Sequence, residues 1–162
     1  MIVIADSSVL ISLSTIGQLE LIRARFPEGI CITPAVWREV VDQGRERPGT
    51  KEVAATEWIG LHEVQDQGFV RYLKMELDDG EAEVIGLARE MDAGLILMDE
   101  RDARDVAKGF GFSVLGTVGL LIWAKRIGKV QSLKHLLNDL QNNANFRISN
   151  ALYEFSLKTV GE

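Results

Sequence analysis

The chain has 162 residues, 46% of them hydrophobic and 26% charged, with a net charge of −6. That length suits one domain able to bury roughly two-thirds of the surface its unfolded form exposes, and a single cysteine excludes an internal disulfide. The acidic balance argues against holding nucleic acid by general electrostatics, and the two histidines have no Cys or His at zinc-ligand spacing.

Ile2 to Ala5 is an apolar, β-branched run too short for a helix and reads as a strand buried on both faces. It has no basic leader and no run approaches the ~20 apolar residues that span a bilayer, so neither a signal peptide nor a membrane span is expected, and the protein reads as cytoplasmic. Asp6 ends the strand. Ser7 and Ser8 follow as candidate helix caps, and Val9, Leu10, Ile11 and Leu13 resume apolar packing. In an open α/β sheet ligands bind beyond the carboxyl ends of the strands, which makes Asp6 the first functional candidate. Its competing reading is a plain N-cap.

Leu19 to Phe26 reads as a helix closed by Pro27-Glu28-Gly29. Ile30 to Ile32 is a short buried strand, with Cys31 as an inert thiol. Thr33 is a good N-cap and Pro34 a good first helical residue, so a helix is expected over Ala35 to Asp42, with Glu39 beside the inward face of Val36 and Val40. Gln43 to Thr50 is rich in Gly, Pro and charge and reads as a loop, a candidate mobile flap. Lys51 to Trp58 is expected as helix, Ile59 to Val64 as extended chain and Gln65 to Leu77 as a further helix.

Asp78 with Glu81 fits a capping box for the helix that follows. Glu81 also shares the face of Val84, Ile85 and Ala88 that must pack on the sheet. Burying a carboxylate there costs several kcal/mol unless a cation or hydrogen bonds meet it, which favours Glu81 as a site residue over Glu83, expected to lean towards water. Leu95 to Met98 is a clear strand ended by Asp99, repeating the arrangement at Asp6. A helix over Glu100 to Lys108 carries Asp102, which either reaches the same crevice or favours its own helix dipole. Phe112 to Leu115 is the last strand, followed by Gly116-Thr117, where Thr117 either caps the next helix or holds a water or phosphate. Val118 to Ile127, Ser132 to Leu140 and Ser149 to Val160 complete the helices, with Gln141 to Asn145 as a polar turn and Leu152, Tyr153, Phe155 and Leu157 along an apolar stripe.

Strands alternating with helices indicate an α/β domain with a largely parallel sheet of four or five strands. Residues 1–130 are expected to form it, with 131–162 as a helical extension packed on the same domain. If Asp6, Glu39, Glu81 and Asp99 converge, like charges at close range require a cation. Oxygen-only ligands favour Mg²⁺ or Mn²⁺, and the usual task of such a site is phosphodiester hydrolysis.

Four stretches carry a family resemblance: Ile-Val-Ile-Ala-Asp-Ser-Ser-Val-Leu-Ile from Ile2, Thr-Pro-x-Val-x-x-Glu-Val ending at Val40, Gly-Glu-Ala-Glu at 80–83 and Leu-Met-Asp-Glu-Arg-Asp-Ala-Arg at 97–104. Together they resemble the PIN-domain family over nearly the whole chain, and within it the VapC-like subgroup. The tail from Gly116 through Phe146-Arg147-Ile148-Ser149 is similar to a prokaryotic branch. The resemblance implies a three-layer α/β/α fold and a Mg²⁺- or Mn²⁺-dependent endoribonuclease, often the toxin of a type II toxin-antitoxin pair, with RNA as substrate and a protein antitoxin as partner. Asp6 matches the first acidic position, Glu39 the second and Asp99 the acid after the fourth strand; Glu81 stands where this branch carries an acid at a helix start. Many members place Thr or Ser at that strand end followed by two acids, so whether Asp99 or Asp102 binds metal stays open beside the ligands Asp6 and Glu81. The apolar tail helices either bury against a second copy, as a homodimer surface, or complete the core, and Arg38, Arg45, Arg47, Arg101 and Arg104 are candidate substrate contacts. A receiver domain fits less well, since Phe112 to Thr117 lacks the lysine that fold needs. A catalytically inactive PIN-fold module binding RNA or a partner is the remaining alternative.

Overall fold

A computed structural model describes residues 1–162. Five short apolar runs form its strands: β1 (Val3–Ala5), β2 (Ile30–Ile32), β3 (Ile59–Leu61), β4 (Leu95–Leu97) and β5 (Val114–Leu115). They make one parallel sheet in the order β3-β2-β1-β4-β5. Val3, Ile4 and Ala5 pair with Leu95, Ile96 and Leu97, so β1 and β4 end level with each other. The chain leaves β1 in one direction for β2 and β3 and returns on its other side for β4 and β5. That reversal opens a crevice at the carboxyl ends of β1 and β4. Asp6 and Asp99 stand just past those two ends, and the Asp6 N–H donates to Leu97 O at 2.9 Å.

The helices are α1 (Ser7–Thr15), α2 (Glu20–Arg25), α3 (Pro34–Trp37), α4 (Thr50–Ala55), α5 (Gln67–Leu73), α6 (Asp79–Met91), α7 (Arg101–Gly109), α8 (Thr117–Arg126), α9 (Leu133–Asn143) and α10 (Asn150–Thr159). They flank the sheet in a PIN-like α/β/α arrangement. The helix α6 packs on β1 and β4 with α3 and α5 beside it, while α8 packs on α1, α2 and the two tail helices. Leu133, Leu136, Leu137, Leu140, Ile148 and Leu157 of the tail belong to the same hydrophobic core as the strands. No helix is long and apolar enough to cross a membrane.

Local chemistry accounts for most boundaries. The Thr33 side chain accepts from Val36 N with Pro34 in the first turn, and Ser132 and Ser149 cap α9 and α10 in the same way. Elsewhere the expected elements change. The helix expected through Asp42 is α-helical only to Trp37 and continues as a π-helical turn, Arg38–Asp42. The helix expected over Gln65 to Leu77 is shorter because Asp66 caps it at Phe69 N. Phe112 and Ser113 fall outside β5, and Gln141 to Asn143 extend α9 rather than turning. Phe155 points to solvent, 63% exposed, because α10 packs on α8 and α9 along one side only.

Candidate active site

Asp6 occupies the N-cap position of α1 but its side chain makes no capping bond. It is 4% exposed. Its Oδ1 is buried without a hydrogen-bond partner, and Oδ2 accepts from Ser8 Oγ at a long 3.5 Å. The plain N-cap reading therefore fails: a buried acceptor with no donor costs about 1–3 kcal/mol, more when charged. Burial pushes the Asp6 carboxyl from its ordinary 3.8 up to about 8; the Ser7 amide offsets this in part, and the negative charges of Glu39, Glu81 and Asp78 add to it.

Glu39 is half-buried and rides on the π-helical turn, where Gln43 N–H donates to Arg38 O at 2.7 Å across five residues. Single π turns of this kind occur frequently at functional sites. Ser7 Oγ donates to Glu39 Oε2. Gly80 leaves room for the same carboxylate, since a Cβ there would lie 2.5 Å from Glu39 Oε1. Burial raises the Glu39 carboxyl, the Ser7 bond and Arg38 lower it, and Asp78 and Asp79 raise it.

Glu81 forms the capping box with Asp78: Asp78 N–H donates to Glu81 Oε1 at 3.1 Å, and Glu81 N–H donates to Asp78 Oδ1 at 2.8 Å. It is nonetheless buried on the sheet side of α6. Burial pushes its carboxyl from 4.5 to about 7, against the Asp78 amide and with the charges of Asp78 and Glu100. Glu83 does not lean towards water. Its Oε2 accepts Ala35 N–H at 2.8 Å, because the first turn of α3 has amides without helical partners.

Asp99 is gripped by a single residue. Thr117 donates its backbone N–H to Oδ1 at 2.7 Å and its hydroxyl to Oδ2 at 2.6 Å. Thr117 thus neither caps α8, whose N-cap is Gly116, nor stands free for a water. Burial raises the Asp99 carboxyl, while both Thr117 bonds and Arg104 hold it down. Gly116 permits this packing: a Cβ would lie 2.5 Å from Arg104 Nη1 and 2.8 Å from Asp99 Oδ1. Asp102 is exposed on the first turn of α7. The cap of that helix is Glu100, which accepts Ala103 N–H at 2.8 Å.

The structure brings Asp6, Glu39 and Glu81 into one electrostatic neighbourhood on the β1 side of the crevice, with Asp99 ending the adjacent strand. As the side chains lie, no three Asp, Glu, His or Cys residues are close enough to hold one ion. Sequence reasoning missed Ser7 as a partner of Glu39, Gly80 as the space Glu39 occupies, Thr117 as the clamp on Asp99 and Glu100 as a charge near Glu81. Only the alternative cap roles of Ser7 and Thr117 had a local signal.

A family model described as a PIN domain matches residues 2–162. The chain belongs to the PIN-domain family. Curated proteins contain no match to it. PIN domains are generally nucleases, so membership points to nuclease-type activity on nucleic acid, and they typically use divalent metal. The donor set of this PIN domain fits such an ion in its chemistry: it consists of oxygen ligands, one of them a buried carboxylate oxygen with no partner, among carboxyl groups that burial pushes above their ordinary range. Side-chain rotation would have to draw them together.

Proposed function

We propose that this PIN domain is a Mg²⁺- or Mn²⁺-dependent endoribonuclease that hydrolyses RNA phosphodiester bonds. The observation that carries the reading is the buried, unpartnered Asp6 Oδ1 at the point where the sheet reverses. Asp6, Glu81 and Asp99 are the residues that would hold the metal, with Asp102 as the alternative to Asp99. When bound, the metal supplies a Lewis acid for the phosphate and a more acidic water. Glu39 takes the proton of the attacking water at Oε1, the oxygen that Ser7 leaves free, and its raised carboxyl makes it a better base than an ordinary glutamate. Ser7 orients Glu39, and Thr117 fixes Asp99. The likeness of the four motifs to the VapC-like subgroup supports the narrower reading of a type II toxin held in check by a protein antitoxin.

The test is cleavage of total cellular RNA and of a labelled single strand by purified protein with Mg²⁺, Mn²⁺ or EDTA, beside Asp6→Asn. Metal-dependent cutting lost in the mutant is the expected result. A folded wild type that cuts no RNA with either metal would overturn the nuclease reading and leave a non-catalytic module.

A further inference from the structure

Beside Asp99 lies a groove of about 450 Å³ running between α7, α8 and the segment that leads into α10. Its lining carries Arg101, Arg104, Lys108 and Arg147 against two carboxylates, Asp99 and Asp105, in a chain whose net charge is −6. Arg104 is committed, donating to Met98 O at 3.1 Å. Arg101, Lys108 and Arg147 are exposed and take part in none of the four ion pairs. The lining also contains Phe146, packed partly on the core, together with Ile122 and Leu152. Cations without counter-ions next to an aromatic side chain are what an unpaired polynucleotide needs: the cations follow its phosphates and the ring stacks on a base. A duplex keeps its base faces inside and has no use for the ring.

Building on the nuclease reading, we infer that this groove is the substrate channel for a single-stranded polynucleotide, with Lys108 and Arg147 on its phosphates and Phe146 under a base, leading the strand past Asp99. The groove also gives the tail a part in recognition, because Phe146 and Arg147 lie between α9 and α10.

The experiment measures binding apart from cleavage. Fluorescence anisotropy follows a labelled single-stranded RNA, the same sequence as single-stranded DNA, and the RNA duplex on the full chain carrying Asp6→Asn. Lys108→Glu with Arg147→Glu, both on exposed side chains, is expected to weaken single-strand binding at least tenfold and to flatten the dependence of log affinity on log salt by about 1.4, two contacts at ~0.7 each. Phe146→Leu keeps the apolar packing and is expected to weaken it about tenfold with little change in that slope. Preference for RNA or for DNA single strand supports the channel either way and reports the sugar. Undetectable single-strand binding by the parent protein, duplex binding of equal strength, or unchanged affinity in folded groove variants overturns the channel. Groove-dependent binding by a wild type that cuts no RNA would leave the channel standing and sink the nuclease reading alone.

Discussion

Asp6→Asn separates the electrostatic state of the site from its fold. In the folded protein the Asp6 carboxyl holds its proton to about pH 8, whereas unfolded it loses the proton near 3.8. Between these values the native state binds more protons, so stability falls as pH rises through the window and levels off above it. At about 1.4 kcal/mol per pH unit the full span gives an upper bound of about 6 kcal/mol, which relaxation and water entry reduce to a few. For a chain this long about 1 kcal/mol moves Tm by roughly 2–4 °C. In EDTA, Asn at position 6 lacks this penalty, so the mutant should melt close to wild type near pH 4.5 and roughly 5–10 °C above it at pH 8.5. Mg²⁺ or Mn²⁺ should close the gap by raising the wild type alone. The assay is thermal melting of both proteins from pH 4.5 to 8.5, with and without metal. A gap that stays constant across that range would show that the Asp6 carboxylate is ionised and satisfied, and would remove the case for a site that needs a cation.

Gly80→Ala should leave Tm within about 2 °C, since alanine favours a helix by up to ~1 kcal/mol, yet lower RNA cleavage at least tenfold by displacing the Glu39 carboxylate, which would lie 2.5 Å from the new Cβ; unchanged cleavage would show that Glu39 works from elsewhere. Thr117→Val removes the hydroxyl from Asp99 Oδ2 and should cost about 1–3 kcal/mol in urea denaturation. The loss should grow as pH rises above the ordinary carboxylate range, because removing a bond to the ionised form moves the Asp99 carboxyl further up. Gly86→Ala places a Cβ 2.9 Å from Val70 Cγ2 and 3.2 Å from Val64 Cγ1, so overpacking of about 1–3 kcal/mol should outweigh the helix gain. Net stabilisation in urea would mean that α5 yields freely.

What the sequence made legible follows from how local each signal is. The strand-end positions of Asp6 and Asp99 could be read because a short apolar run stops at each, and the Asp78–Glu81 box could be read because its reciprocal bonds span three residues. The π turn under Glu39 has no spacing signature. Nor do the bonds from Ser7 to Glu39, from Ala35 to Glu83 or from Thr117 to Asp99, which join residues 32, 48 and 18 apart. These long-range bonds correct the assignments most: they turn a candidate cap into a positioning hydroxyl, a solvated glutamate into a helix tie and a helix cap into a clamp.

Two buried side-chain oxygens in the chain lack a partner, Ser14 Oγ and Asp6 Oδ1, and they differ in what they imply. A hydroxyl is neutral and can turn. A carboxyl group at the mouth of a parallel sheet, among the carboxyls of Glu39, Glu81 and Asp78, is held back from ionising by burial and like charge until a cation from outside the chain offsets both. The patterning elsewhere agrees with the fold, from the capped helices to the buried strands, and a charged-group conflict against that background supports the proposed site over a folding defect. Asp99 argues the same way from the opposite direction. Thr117 donates to each of its two oxygens, which fixes the carboxylate at the crevice and leaves every oxygen a further lone pair.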